Sequence, residues 1–171
     1  MSVKLILGKG NDTARIALIG EAPRAEEEKQ GKPFVGKSGE LLADMLEKAG
    51  IAQDDVYITN AVKVRPVNNR TPTNEELGSW KKLLVAEISK VAPNVIVPLG
   101  ACAAKVLLGD DIKITKIRGK QFHTSLMYFN RMDGRLICPQ IMPTFHPAYI
   151  LRNIKEKGTV IKDLEKARNQ I

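Results

Sequence analysis

Apolar residues along this chain follow two rhythms. Ala14–Ile19, Val56–Val62, Asn94–Leu99 and Ile141–Phe145 are short runs rich in branched apolar residues, and such runs read as strands buried on both faces. Between them the spacing changes to three and four. Leu41, Leu42, Met45, Leu46 and Ala49 form one stripe of a helix over 38–49, with Ser38 as its N-cap and Gly50 closing it. Thr73 and Glu76 are spaced as a capping box that opens a long helix through Val91. Gly100 to Leu108 reads as a small-residue helix packed close to the sheet, and a basic amphipathic helix runs from about Lys155 to the end. Pro143 must sit where its missing N–H does no harm. Residues 109–139 mix polarities and suggest only a hairpin turn at Asp133-Gly134.

Strands alternating with helices predict an α/β protein, a three-layer α/β/α sandwich around a central four-stranded parallel sheet. A chain of 171 residues suits one domain, 1–171, burying roughly 70% of the surface that its unfolded form exposes. The connection from Gly20 to Gly39, GEAPRAEEEKQGKPFVGKSG, is about three times the usual ~2–6 residues and reads as a functional loop on the sheet rim. In such folds ligands bind beyond the carboxyl ends of the strands, where Asn60 and His146 also fall. The loop glycines at 31, 36 and 39 match neither GxGxxG nor a P-loop, so nucleotide phosphate binding is not supported.

A formal charge of +8 favours a polyanionic partner. No stretch of ~18 or more apolar residues occurs, and the apolar run in MSVKLILGKGND is too short for a signal peptide. The expectation is a soluble protein of the cytoplasm or nucleoid with no membrane partner. Cys102 and Cys138 stand singly in apolar surroundings and read as small buried hydrophobes, with no disulfide framework.

The loop GEAPRAEEEKQGKPFVGKSG resembles the first motif of the uracil-DNA glycosylase superfamily. The match is to the short thermophile and phage-polymerase-associated branch called family 4, whose signature is GE(A/G)PG, acidic residues, then G-x-PFVG-x-(S/A)-G. YITNAVKVRPVNNRTP resembles that family's second motif, PNVIVPLGACAAKVLLG its intervening strand and helix, and TFHPAYILR its last motif, so the resemblance spans nearly the whole chain. It implies a monomeric, monofunctional glycosylase of base excision repair. Such an enzyme hydrolyses the N-glycosidic bond of a flipped-out deoxyuridine in single- and double-stranded DNA, releasing free uracil and leaving an abasic site.

Carried over residue by residue, the resemblance implies roles. Phe34 is the platform under the flipped base, in keeping with an aromatic inside a polar loop. Asn60 offers one amide donor and one acceptor, which suit uracil O4 and N3–H and oppose cytosine. His146, in an HPA motif, donates to uracil O2 as negative charge develops there. Ala22 lies in the base pocket where the best-studied branch has an aspartate, which leaves Glu21 and Asn69 to hold the attacking water. Glu27 gates against the C5 methyl of thymine. Arg24, Lys37, Ser38, Lys63, Arg65, Arg70 and Arg152 are expected DNA contacts, and Ile150 or Leu151 the apolar wedge that fills the emptied stack. His123 has no motif around it and reads as structural.

Two departures from the pattern stand out. Family 4 enzymes carry a four-iron, four-sulfur cluster on four cysteines, but Val64 and Trp80 stand at two of those positions and no cysteine pair precedes the first motif. With no fit for Cys102 or Cys138, the expectation is a protein without a cluster and without any other metal or cofactor. Arg24 replaces a glycine, so either it adds a phosphate contact or it strains the loop. A glycosylase fold retained as a catalytically impaired DNA- or protein-binding module is the alternative reading.

Overall fold

The four apolar runs do form parallel strands, but the sheet extends beyond them. The computed structural model describes residues 3–171. Its main sheet is built from β1 (Lys9–Gly10), β2 (Ile16–Gly20), β3 (Val56–Asn60), β4 (Val95–Pro98), β5 (Phe122–His123) and β8 (Gln140–Ile141), in the order β1-β3-β2-β4-β8-β5. The inner block β3-β2-β4-β8 is parallel; β1 and β5 pair antiparallel at its two edges. The sheet is therefore six-stranded rather than four-stranded, because two-residue edge strands leave no apolar run to read. A separate hairpin, β6 (Tyr128–Phe129) with β7 (Leu136–Ile137), turns through Gly134 at φ 71°, as Asp133-Gly134 suggested.

The helices are α1 (Ala25–Gln30), α2 (Lys37–Lys48), α3 (Asn74–Val91), α4 (Ala101–Leu108), α5 (Ile114–Ile117), α6 (Pro147–Arg152) and α7 (Lys157–Arg168). Alternation along the strands explains the layers. Ile16 and Leu18 of β2 point into a cluster with Leu42, Met45 and Leu46 of α2, Ile150 of α6 and Val160 and Leu164 of α7. Ala17 and Ile19 point the other way, onto Leu77, Leu84 and Ile88 of α3 and Ala103 and Val106 of α4. Each fully buried large aliphatic side chain stabilises the fold by ~1.5–3 kcal/mol, which explains why both faces must be covered. Among the described residues no helix is long and apolar enough to cross a membrane.

Local expectations are corrected at several ends. The strand expected over Ala14–Ile19, β2, starts at Ile16, since Ala14 N–H is held by Asn11 in a turn, and it includes Gly20, which pairs with Asn60. The stretch from Gly20 to Gly39 is not a continuous loop: Glu26, Glu27 and Glu28 crowd the first turn of α1, where the helix dipole favours carboxylates, and Gly31 at φ 74° ends it. Helix α2 starts at Lys37 with Gly36 as N-cap and no side-chain cap, so Ser38 lies inside the first turn. The Thr73 cap is as expected, its Oγ1 accepting from Glu76 N–H at 3.1 Å. Met142 and Thr144 donate to Ile96 and Pro98 of β4, leaving Pro143 on the alternate position where no N–H is needed. Cys102 is buried as expected, whereas Cys138 is exposed beyond the second hairpin strand.

Candidate active site

Strand register brings distant residues to one edge. Gly20 pairs with Asn60 at the carboxyl ends of β2 and β3, and Leu99 bridges Thr144 just before His146. Ala22, Arg24, Glu27, Phe34, Ser38, Asn60 and His146 line one small cavity there. Its volume of about 20 Å³ holds one water, and a pyrimidine ring enters only if the rim opens. A larger cavity of about 600 Å³ lies elsewhere, lined by Glu40, Asp44 and Glu47, and those carboxylates oppose a polyanion.

Phe34 is the best fixed of these residues. Its φ is 52°, a left-handed conformation uncommon for a bulky residue, and its side chain is buried. Two glycines hold it: a Cβ at residue 20 would overlap the ring, and one at residue 39 would overlap the Phe34 carbonyl. The ring centroid lies 5.8 Å from that of His146, with the planes tilted by 31°. Backbone strain at a cleft aromatic is the kind that surrounding packing must enforce.

Asn60 is buried, yet its side-chain amide finds no hydrogen-bond partner among the described residues and faces the cavity. His146 is locked differently. It caps α6, and its Nδ1 accepts from Ala148 N–H at 3.0 Å, which leaves the ring proton on Nε2. Burial, with the positive charges of Arg24 and Arg152, pulls its pKa down to about 4, so near neutral pH the ring is an uncharged donor. Gly100, at φ 92°, gives the histidine room: a Cβ there would lie 3.0 Å from the His146 Cβ.

The remaining expected residues divide. Glu21 and Asn69 do not line the cavity. Burial and the nearby Glu21 carboxylate push the Cys102 thiol up to about 12. Asn69, at φ 57°, accepts from Arg65 Nε at 2.8 Å, while Arg65 also reaches Glu28 at 3.5 Å. Arg70 pairs with Glu76 at 2.7 Å and stays half exposed. Lys37 and Arg152 are exposed. Arg24 is also exposed and extended at φ −111°, a conformation that needs no glycine, so the replacement does not strain the loop.

Two of the expected DNA contacts are wrong. Lys63 is fully buried, its ammonium 2.6 Å from Thr59 Oγ1 and from the Asn60 carbonyl and paired with Glu87. It cannot touch a phosphate. Ile150 is 0% exposed and belongs to the core against α2, which leaves Leu151, 45% exposed, as the wedge candidate. The residues that the sequence reading missed are Glu87, Thr59, Gly20 and Gly100. Only Glu87 gave a signal, as a carboxylate on the apolar stripe of Leu77, Leu84, Ile88 and Val91.

The donor set does not fit a four-thiolate cluster. The chain has two cysteines, one buried in the core and one exposed beyond β7. Val64 and Trp80 pack half-buried against the apolar cluster under α3.

Known proteins resemble this chain over most of its length. The family model described as uracil DNA glycosylase superfamily matches residues 7–167. A type-4 uracil-DNA glycosylase of Thermotoga maritima is 42% identical over 170 residues, covering 98% of this chain and 83% of that protein. One from Archaeoglobus fulgidus is 38% identical over 148 residues, covering 84% and 70%. A DNA polymerase of Bacillus phage SP01 is 36% identical over 163 residues, which is 95% of this chain and 16% of the polymerase. With both the family model and these relatives spanning most of its length, the chain belongs to the uracil-DNA glycosylase superfamily.

Proposed function

We propose that this protein is a monofunctional uracil-DNA glycosylase that hydrolyses the N-glycosidic bond of a flipped-out deoxyuridine, in single- or double-stranded DNA, and leaves an abasic site. The observation that carries this reading is the convergence of Phe34, an unpartnered Asn60 amide and the Nε2–H of His146 on one cavity. A planar base stacked on Phe34 can meet Asn60 with O4 and N3–H and His146 with O2. Cytosine opposes both Asn60 contacts, because it presents an amino donor and a bare acceptor.

In the reaction the C1′–N1 bond breaks and its electron pair stays on the departing uracil, whose charge spreads to O2. The Nε2–H of His146 donates there, strongest when the charge is fully developed. Because the imidazole starts neutral, it stabilises the anion by hydrogen bonding and gives up no proton. The cationic sugar then takes a water through a new C1′–O bond, and the proton that this water releases balances the departed uracil anion to give free uracil. Such a cation needs a positioned water more than a strong base, which suits Ala22 in place of a carboxylate and leaves Glu21 and Asn69, outside the cavity while its rim is closed, to orient that water once a base has opened it. Glu27 lines the cavity, and in this reading it gates against the C5 methyl of thymine. Lys37, Ser38, Arg24, Arg65, Arg70 and Arg152 are the phosphate contacts in this reading, and Leu151 the wedge.

The test is excision from a uracil-containing oligonucleotide, with alkali to cut abasic sites. Product in single turnover is expected. No product at large enzyme excess, with uracil DNA still bound, would favour the alternative of a catalytically impaired binding module. The reading also includes a protein free of an iron-sulfur cluster and active without metal. Purified protein should be colourless, and stoichiometric iron with labile sulfide would overturn that part.

A further inference from the structure

The ladder between β1 and β3 ends in a buried polar knot directly behind the base-reading residue. Register pairs Lys9 with Ile58 and Gly10 with Tyr57, and there the pairing stops. Beyond it, Gly8 N–H turns to Glu87 Oε2 at 2.8 Å, and the Asn60 carbonyl turns to Lys63 Nζ at 2.6 Å. The lysine side chain folds back over its own turn, whose N–H groups at Ala61 and Val62 continue onto Gly20 and Glu21.

Every group in the knot is satisfied. The three ammonium donors of Lys63 go to Thr59 Oγ1, the Asn60 carbonyl and Glu87 Oε1. The Glu87 carboxylate accepts from Gly8 N–H, Tyr57 O–H at 2.9 Å, Thr59 O–H at 2.8 Å and Lys63, which fills its acceptor sites. Burial pulls Lys63 below its ordinary value and Glu87 opposes that pull; Glu87 itself is held below the usual carboxylate range by Lys63 and the converging donors, against its own burial. A buried ion pair of this kind adds little net stability compared with apolar packing.

Resting on the glycosylase reading above, we propose that Lys63, held by Glu87 and Thr59, is a positioning residue for base recognition. Its ammonium fixes the Asn60 peptide at the end of β3 and so aims the unpartnered side-chain amide into the cavity. Without that donor the Asn60 carbonyl is buried and unpaired, and the residue that must meet O4 and N3–H gains freedom to turn toward another donor. Lys63 touches neither DNA nor base. It acts through Asn60.

The test compares the parent with Lys63→Met/Glu87→Gln, a neutral pair that leaves no bare charge in the core. Loss of one charge-assisted hydrogen bond behind the reading residue is expected to lower single-turnover uracil excision by ~10–100-fold and to weaken inhibition by free uracil by a similar factor. Affinity for abasic-site DNA, which presents no base to Asn60, is expected to stay within ~3-fold of the parent. If the double variant does not fold, Lys63→Met alone, which removes the donor to the Asn60 carbonyl and leaves the Glu87 carboxylate its bonds from Gly8, Tyr57 and Thr59, should show the same split. Parental excision and uracil inhibition in a folded variant overturn the inference. Excision, abasic-site affinity and melting temperature falling together also overturn it, since they mark a structural role only. Asn60→Ala separates the two levels: an active parent that loses excision in Asn60→Ala but not in the Lys63 variant leaves the glycosylase reading standing, whereas an inactive parent removes both.

Discussion

The Phe34 ring occupies the space that a Cβ on residue 20 would need, so β2 can reach the floor of the cavity only as glycine. The same missing carbon also makes room for the Asn60 side-chain oxygen. One strand end thus sets the spacing between the stacking face and the base-reading amide.

Gly20→Ala should therefore cost about 1–3 kcal/mol by overpacking and lower uracil excision, because either Phe34 or Asn60 must move. A Cβ on Gly78 in α3 would meet nothing within 4 Å, and Gly78→Ala should have the opposite sign, stabilising by ~0.5–1 kcal/mol. Urea unfolding of both variants checks the contrast. Equal shifts of the same sign would show that close approach at residue 20 is not what matters.

His146→Ala should lower single-turnover excision by ~10²–10³ while abasic-DNA affinity changes little, since its donor acts on developing charge. The pH dependence follows from a folded-state value of about 4 against 6.5 unfolded. Between these values the unfolded chain takes up a proton that the folded ring refuses, so stability is full above about pH 6.5 and falls as pH drops toward 4. Excision should show no step from His146 between pH 6 and 8. A rate that follows one ionisation near 6.5 and disappears in His146→Gln would contradict the locked neutral ring.

Asn60→Asp should lose most uracil excision and gain weak cytosine excision, best seen opposite a mismatch, where extrusion costs less. A carboxyl kept protonated by burial can accept from the cytosine amino group and donate to N3. Duplexes bearing uracil or cytosine at one position give both rates. Uracil excision near the parent rate in both Asn60→Asp and Asn60→Ala removes Asn60 from base reading.

Adjacent residues of α6 should separate cleanly. Leu151→Ala should reduce excision from duplex DNA more than from single strands, because a wedge matters only where a stack must be filled. Ile150→Ala should instead cost ~2–5 kcal/mol of stability with no such strand dependence, as a core truncation. Thermal melts and excision on matched single- and double-stranded substrates decide it, and equal strand dependence in both variants would remove Leu151 as the wedge.

Much of the architecture was legible from pattern. The runs around Leu18, Ile58, Val97 and Ile141 alternate with helical stripes, and that order leaves few parallel topologies. The edge strands Lys9–Gly10 and Phe122–His123 were not legible, since two residues carry no periodicity and their pairing is set by neighbours distant in sequence. Helix α1 was hidden in the same way: it buries no residue, so no apolar stripe announced it, and only its run of glutamates marked its start.

Phe34, Asn60 and His146 were nameable from the chain because GEAPRAEEEKQGKPFVGKSG, YITNAVKVRPVNNRTP and TFHPAYILR resemble motifs of the uracil-DNA glycosylase superfamily, and a glycine-bounded loop and two strand ends are positions that local order can mark. Lys63 shows what local order cannot decide. In KVRPVNNR it reads as one more exposed cation, yet Glu87, twenty-four residues away on α3, draws it wholly into the core beneath Asn60. The sign and hydration of a charge depend on the partner that packing delivers, and that partner is fixed only when helix and sheet close on each other. Ile150 and Leu151 divide for the same reason: one turn of α6 has an inside and an outside only once α2 is packed against it.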